Sequence, residues 1–288
     1  MQGIVNVYKP KGWTSFDVVN KLKRVYSTSK IGHLGTLDPM AEGVLPVALG
    51  KATKLFDFYL KKTKVYEAEF EFGYETDTLD ADGEVIQTSP NLPTLEEIKK
   101  ATEKFLCKIK QVPPAFSAVK INGKRAYDLA RNKEEFTISA KEVEVFKFEC
   151  LGEIAENKYS FIIECSAGTY IRSLCRDLAK EVNSSATMTK LVRTRSGEFE
   201  LKDSKKIEQI IEEPSGAVIS LEKVFSALGE IKLSGVSAKK AINGIKKIFA
   251  ENHSQGLSRI YTEGQLFGIG EIKEGKLITL VRLYEGEN

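Results

Sequence analysis

The sequence predicts an α+β fold made of one large domain and one small domain. Strand-like runs alternate with capped helices as far as about residue 228, a pattern typical of a sheet covered by helices. From Gly229 onward the composition shifts to short β-type runs separated by glycine turns. A length of 288 residues also exceeds that of most single compact domains. We therefore predict a large domain at residues 1–228 and a small β-rich domain at residues 229–288.

The individual elements follow from periodicity and capping signals. Two-residue alternation or short apolar runs predict strands at residues 3–8, 44–49, 65–72, 142–149 and 158–165. Helices are predicted after Thr14 and Thr94, because each is followed three residues later by an acidic residue that completes a capping box. A third helix follows the turn SAGT at 166–169, with apolar residues recurring at helical spacing, and shorter helical pieces are predicted at 204–228. Residues 30–50 are too irregular and glycine-rich for a helix.

Positive charge is concentrated in residues 108–133, hereafter the basic segment. Its seven basic residues and one acidic residue give a net charge of +6, whereas the whole chain has only +3 and the remainder therefore −3. A local excess of this kind is expected of a phosphate-binding surface, and Phe116 and Tyr127 within it could stack on bases. A solvated surface face would show the same run, and the charges alone do not separate the two interpretations.

The sequence contains few potential metal ligands and no long apolar segment. The four cysteines form no CxxC pair and the chain has only two histidines, so we predict no metal site. No apolar run approaches the ~20 residues of a membrane helix, and no signal peptide is evident. These features predict a cytoplasmic protein that does not enter a membrane.

Asp38 is the first candidate for chemistry. It lies in GHLGTLDP at residues 32–39, where Gly32 and Gly35 allow a tight turn and Pro39 stiffens the backbone of the aspartate. A rigid loop that presents one carboxylate suits catalysis. An aspartate that only accepts backbone hydrogen bonds in a turn is the alternative, which spacing alone favours.

Arg172 and Tyr66 are the next candidates. Arg172 is expected in the first turn of the third long helix, where the helix dipole disfavours a cation by ~0.3–1 kcal/mol unless an anion lies beside it. A solvated surface arginine is the alternative. Tyr66 lies in a predicted strand, where most tyrosines pack in the core.

Together these segments resemble the TruB-type tRNA pseudouridine synthases, which act on uridine 55 in the T loop. The resemblance rests on six blocks in the family's order: NVYKPKGWTSFDVV at 6–19, GHLGTLDPMAEGVLPVALGKATK at 32–54, KVYEAEFEFGYETDTLDADGEV at 64–85, QVPPAFSAVKINGKRAYDLAR at 111–131, GTYIRSLCRDL at 168–178 and LVRTRSGEF at 191–199. The blocks cover most of residues 3–200.

The resemblance implies a fold and a set of roles. The fold is a mixed, mainly antiparallel sheet flanked by helices, followed by a small PUA-like RNA-binding domain. Asp38 matches the catalytic aspartate, Arg172 the arginine paired with it and Tyr66 the active-site tyrosine. Leu191, His33 and Lys9 match further substrate-binding positions, and the basic segment matches an element that clamps the RNA.

The implied reaction is the isomerisation of a uridine, flipped out of its stack, to pseudouridine. It needs no cofactor, because no electrons are transferred and no group leaves. The implied partner is the T-arm stem-loop of tRNA, bound by a monomer without an obligate protein partner. Three alternatives remain: a subunit that depends on a guide RNA, an RNA-binding module without turnover, and a glycosidase. A glycosidase needs two carboxylates, and the acidic turn with Asp77, Asp80 and Asp82 offers the only candidate partner for Asp38.

Overall fold

The computed structural model describes residues 2–245, 247–249 and 254–283. The helices are α1 Ser15–Val25, α2 Phe56–Leu60, α3 Leu95–Glu103, α4 Ala126–Arg131, α5 Ile171–Glu181, α6 Ile207–Glu212, α7 Leu221–Val224 and α8 Gly235–Ile242. The strands are β1 Gly3–Lys9, β2 Ile31–His33, β3 Glu42–Leu49, β4 Lys64–Phe72, β5 Tyr74–Thr76, β6 Val85–Thr88, β7 Lys108–Gln111, β8 Lys120–Ile121, β9 Lys124–Arg125, β10 Lys141–Ala155, β11 Lys158–Cys165, β12 Ala186–Ser196, β13 Phe199–Glu200, β14 Val218–Ile219, β15 Gly229–Leu233, β16 Lys247–Phe249, β17 Gly256–Thr262, β18 Gln265–Lys273 and β19 Lys276–Arg282.

The capping signals locate the first long helices correctly. The Thr14 side chain accepts the backbone N–H of Asp17, whose carboxylate accepts the N–H of Thr14, and α1 begins at the next residue. Thr94 and Glu97 form the same box at the start of α3. Both predicted helix starts are confirmed.

The large sheet has ten strands among the described residues. Their order is β14-β1-β3-β12-β4-β11-β10-β7, with β2 paired to β3 and β13 to β12. The pair β3–β12 is parallel and the other strand pairs in this sheet are antiparallel, as expected for the mixed sheet. α1 and α5 bury their apolar faces in the main core, which also contains residues of β1, β3, β4, β11 and β12.

Strand β12 was not predicted by the hydrophobic pattern, because Lys190, Arg193 and Arg195 interrupt its apolar residues. It is nevertheless a central strand, between β3 and β4. Gly43 makes its pairing with β3 possible: a Cβ there would lie 2.4 Å from the carbonyl oxygen of Arg193, and the φ of +104° also favours glycine. This close approach brings the Arg193 side chain to the loop that contains Asp38.

A second sheet follows the first along the chain. Its order is β15-β17-β18-β19-β16, and its core includes Ile231, Ile260 and Phe267. This β-rich C-terminal part agrees with the expected fold, although residues 246, 250–253 and 284–288 of the predicted domain lie outside the described residues. None of the described helices is long and apolar enough to cross a membrane.

Candidate active site

Asp38 lies in the loop between β2 and β3, residues 34–41, hereafter the Asp38 loop. Leu34, Leu37 and Met40 are buried, whereas Thr36 and Pro39 are exposed. The apolar side chains therefore fix the loop to the body of the protein. The carboxylate keeps 33% of its side-chain surface exposed, so a substrate can reach it.

The residues that precede and open α1 hold the loop from one side. The hydroxyl of Ser15 accepts the N–H of Leu37 at 2.9 Å and lies 3.0 Å from the carbonyl oxygen of the same residue. The N–H of Gly12 donates to the Pro39 carbonyl at 2.8 Å. Both residues that flank Asp38 thus have their backbone groups bonded.

Lys9 lies beneath the loop. Its side chain is fully buried, and its ammonium donates to the carbonyl oxygens of Trp13 at 2.6 Å, Pro10 at 3.0 Å and Pro39 at 3.4 Å. Burial lowers the pKa of Lys9 to about 8, although Asp38 opposes this shift. Its three N–H groups contact backbone, where the resemblance implied a direct contact with substrate.

Arg193 of β12 holds the loop from the opposite side. Its guanidinium donates to the carbonyl oxygens of Val44 at 2.8 Å, Thr36 at 3.0 Å and Gly35 at 3.1 Å. The residue is only 1% exposed. A buried arginine that donates to three backbone oxygens fixes the path of the chain at Gly35, Thr36 and Val44.

Arg172 joins three segments at the carboxylate of Asp38. Its guanidinium lies 2.7 Å from the Asp38 carboxylate and 3.4 Å from that of Asp80. It also donates to the carbonyl oxygens of Thr78 at 2.9 Å and Phe116 at 3.0 Å. The anion expected beside Arg172 at the start of α5 is therefore a carboxylate. The alternative that Arg172 is a solvated surface arginine is wrong.

Asp80 lies in the acidic turn, which joins the antiparallel strands β5 and β6 as a hairpin. Its side chain is buried and contacts Arg172. Burial raises the pKa of Asp80, and the hydrogen bond from Thr78 and the charge of Arg172 oppose that rise. The turn thus contributes one wall of the site.

Tyr66 and Leu191 lie on the neighbouring strands β4 and β12 of the large sheet. Tyr66 on β4 pairs with Arg193 on β12, and Leu191 pairs with Ala68 two residues along. Both belong to the core cluster that contains Leu37. Burial raises the pKa of Tyr66 to about 12, against the neighbouring charge of Arg193, so its phenol is neutral near pH 7.

His33 ends β2 directly before the loop. It is half-buried, pairs with Val47, and its Nδ1 is buried without a hydrogen-bond partner. Burial lowers the pKa of His33, and the charge of Arg193 lowers it further. The imidazole is consequently neutral at physiological pH, with a ring nitrogen left for a further hydrogen bond.

The comparison with protein families identifies the family of the chain. Residues 23–171 match the model described as "TruB family pseudouridylate synthase (N terminal domain)". The chain belongs to the TruB family of pseudouridylate synthases. Residues 229–283 match a second model, "Pseudouridine synthase II TruB, C-terminal".

Individual relatives agree with the family. The tRNA pseudouridine synthase B of Clostridium tetani is 37% identical, over 98% of this chain and 100% of its own. The enzyme of the same name from Caldanaerobacter subterraneus subsp. tengcongensis is also 37% identical, over 99% of both chains. Among solved structures, a chain of a Cbf5-Nop10-Gar1 complex matches with a TM-score of 0.71 and 26% identity, over 97% of this chain and 84% of that one.

Proposed function

We propose that this TruB-family chain isomerises uridine 55 in the T loop of tRNA to pseudouridine, with Asp38 as the catalytic carboxylate. The ion pair of 2.7 Å between Asp38 and the buried Arg172 carries the proposal. It places one oriented carboxylate in a partly exposed site, as a reaction at a flipped-out base requires. The names of the relatives support tRNA as the substrate.

The reaction breaks the bond between N1 and C1′ and forms one between C5 and C1′. The proton on C5 is lost and N1 gains one, so atoms and electrons balance. Asp38 is the group placed to attack the uridine or to accept a proton from it. Arg172 holds the carboxylate in a fixed orientation, because it bonds to it while anchored to two backbone carbonyls.

The remaining residues receive roles that fit their surroundings. Tyr66, as a neutral phenol, stacks on the target base, and Leu191 forms the apolar floor beside it. His33 contacts the loop nucleotides displaced with the base. Lys9 supports the site by bonding to the backbone at the Asp38 loop, and it makes no contact with the substrate. We further propose that residues 108–133 clamp the RNA and that residues 229–288 form a second RNA-binding domain.

A guide-dependent activity is the second candidate, favoured by the likeness to the Cbf5 chain of the solved complex. The higher identity to proteins named tRNA pseudouridine synthase B favours an enzyme that needs no guide or partner protein, and we propose that it acts as a monomer. We also propose that the protein acts in the cytoplasm.

The test is tritium release from C5 of a tritiated T-arm stem-loop, with the purified protein alone and EDTA present. We expect release by the wild type and none by Asp38→Asn, which removes a charge but little volume and should bind the RNA with near wild-type affinity. Asp57→Asn, the same change at an exposed position of α2, is the matched control and should release tritium normally. Release only after addition of a guide complex would support the second candidate. No release under any condition would contradict both.

A further inference from the structure

The outer face of α1 forms a groove that the reaction chemistry does not use. The helix buries Val18, Val19 and Leu22. Its opposite face borders two adjoining hollows, which share Asn20 and Arg24. The residues that border them, hereafter the α1 groove, are Gly12, Trp13, Asp17, Asn20, Lys21, Lys23, Arg24, Ser27, Thr28 and Ser29.

The groove carries uncompensated positive charge. Lys21, Lys23 and Arg24 have no carboxylate partner among the described residues. Asp17 is the groove's single acidic residue, and its carboxylate is bonded to the Thr14 backbone and hydroxyl. Three cations that face one occupied carboxylate attract an anion.

The groove also runs beside the Asp38 loop. At one end, Lys9 bonds to the carbonyl oxygens of both Trp13 and Pro39, and Gly12 donates to Pro39. At the other end, Ser27–Ser29 lead within two residues into β2, which ends at His33. The groove is thus bonded to the Asp38 loop at one end and continuous along the chain with β2 at the other.

We propose that the α1 groove binds the phosphodiester backbone of the same RNA whose uridine reaches Asp38, an inference that rests on the proposed function. Lys21, Lys23 and Arg24 neutralise phosphates, and the hydroxyls of Ser27–Ser29 donate hydrogen bonds to them. Trp13 packs against a ribose or base at the end nearest the catalytic loop. The groove thereby adds a second basic contact surface beside that of residues 108–133.

The salt dependence of binding tests this surface. The variant Lys21→Gln/Arg24→Gln is compared with Lys99→Gln/Lys100→Gln, which removes the same number of charges from the exposed face of α3. Each lost phosphate contact should reduce the slope of log K against log salt by about 0.7–0.9. We expect a reduction of about 1.4–1.8 for the α1 variant with a tRNA transcript, and an unchanged slope for the α3 variant.

Trp13 supplies an independent signal, because it is the only tryptophan of the chain and is partly exposed in the groove. Saturating tRNA should protect its fluorescence from quenching by acrylamide, and the α1 variant should need more RNA to reach the same protection. An unchanged salt slope in the α1 variant, or equal quenching with and without RNA, would overturn the proposal. If either result is obtained and the wild type still releases tritium, the proposed function stands. A wild type that releases no tritium would contradict the proposed function itself.

Discussion

The Asp38 loop and the basic segment meet at Arg172, yet they are held in different ways. Buried side chains bond to the backbone of the loop: Ser15 at Leu37, Lys9 at Pro39 and Arg193 at Gly35 and Thr36. In residues 118–133 of the basic segment the side-chain contacts lie at the surface, as between Lys124 and Glu134, whose side chains are 66% and 43% exposed.

This part of the basic segment also has little core of its own. Between residues 118 and 133, all of them described, the buried side chains are Ala126 and Leu129. The guanidinium groups of Arg125 and Arg131 lie 5.7 and 5.6 Å from the ring centre of Tyr127, so that ring is already stacked by the protein's own cations.

The contacts that hold the two regions differ in energy. Removing a donor from a buried carbonyl costs ~1–3 kcal/mol, whereas an exposed ion pair contributes ~0–1 kcal/mol. The loop that carries the Asp38 carboxylate is therefore fixed before any substrate arrives. The basic segment can exchange its surface contacts for phosphate contacts at little cost.

The largest effect is expected from Arg193→Met. The change leaves the carbonyl oxygens of Val44, Thr36 and Gly35 without their donor, so the free energy of unfolding should fall by at least about 3 kcal/mol. Arg195→Met, two residues along the same strand, removes a half-exposed ion pair with Glu164 and should cost less than about 1 kcal/mol. Urea unfolding of both variants measures the difference, and equal losses would mean that the loop is not held as described.

Lys9 makes stability depend on pH in a defined direction. Its pKa is about 8 in the folded protein and 10.5 in a free lysine, so unfolding takes up a proton between these values. The stability contributed by this titration is complete above pH 10.5 and is lost as the pH falls through about 8.

The unfolding free energy of the wild type, relative to Lys9→Met, should therefore rise by up to about 3 kcal/mol from pH 7.5 to pH 10.5. Lys11→Met, an exposed neighbour on the same turn, should show no such rise. A constant difference between the wild type and Lys9→Met across this range would show that Lys9 titrates as a free lysine does.

Arg172→Lys tests the point where the two regions meet. Lysine keeps the charge but cannot bond to Asp38 and to the carbonyls of Thr78 and Phe116 together. The rate of pseudouridine formation should fall at least ~10-fold, which corresponds to ~1.4 kcal/mol of transition-state stabilisation. Arg176→Lys, one turn later on α5, is the control and should keep the rate; equal rates for wild type and Arg172→Lys would contradict the role of the arginine.

Sequence predicted those parts of the molecule that depend on local signals. The capping boxes at Thr14 and Thr94 and the alternation of β4 and β11 gave the correct elements. The position of Arg172 near a helix start correctly indicated an anionic partner.

The missed residues depend on contacts distant in sequence. Arg193 reaches oxygens up to 158 residues away, and Ser15 bonds to a residue 22 positions later. The local sequence LVRTR does not distinguish a buried arginine from an exposed one. Only the parallel pairing of β12 with β3 reveals that Arg193 is buried. The contact of Asp80 with Arg172 was not predicted for a related reason, because the residue pattern of its turn is that of any hairpin.

The smallest effect on stability, and the sharpest test of the contrast, is expected in the basic segment. Lys124→Gln/Arg125→Gln/Arg131→Gln removes one exposed ion pair and two cation–π contacts, so the unfolding midpoint in urea should change little. If these side chains exchange their contacts for phosphates, tRNA binding should weaken and its salt slope should fall by about 0.7–0.9 for each lost contact. Lys99→Gln/Lys100→Gln/Lys180→Gln removes three exposed lysines from α3 and α5 and should leave the slope unchanged. A preserved slope in the first variant would make the segment a solvated face, and a marked loss of stability would show that it is held as firmly as the Asp38 loop.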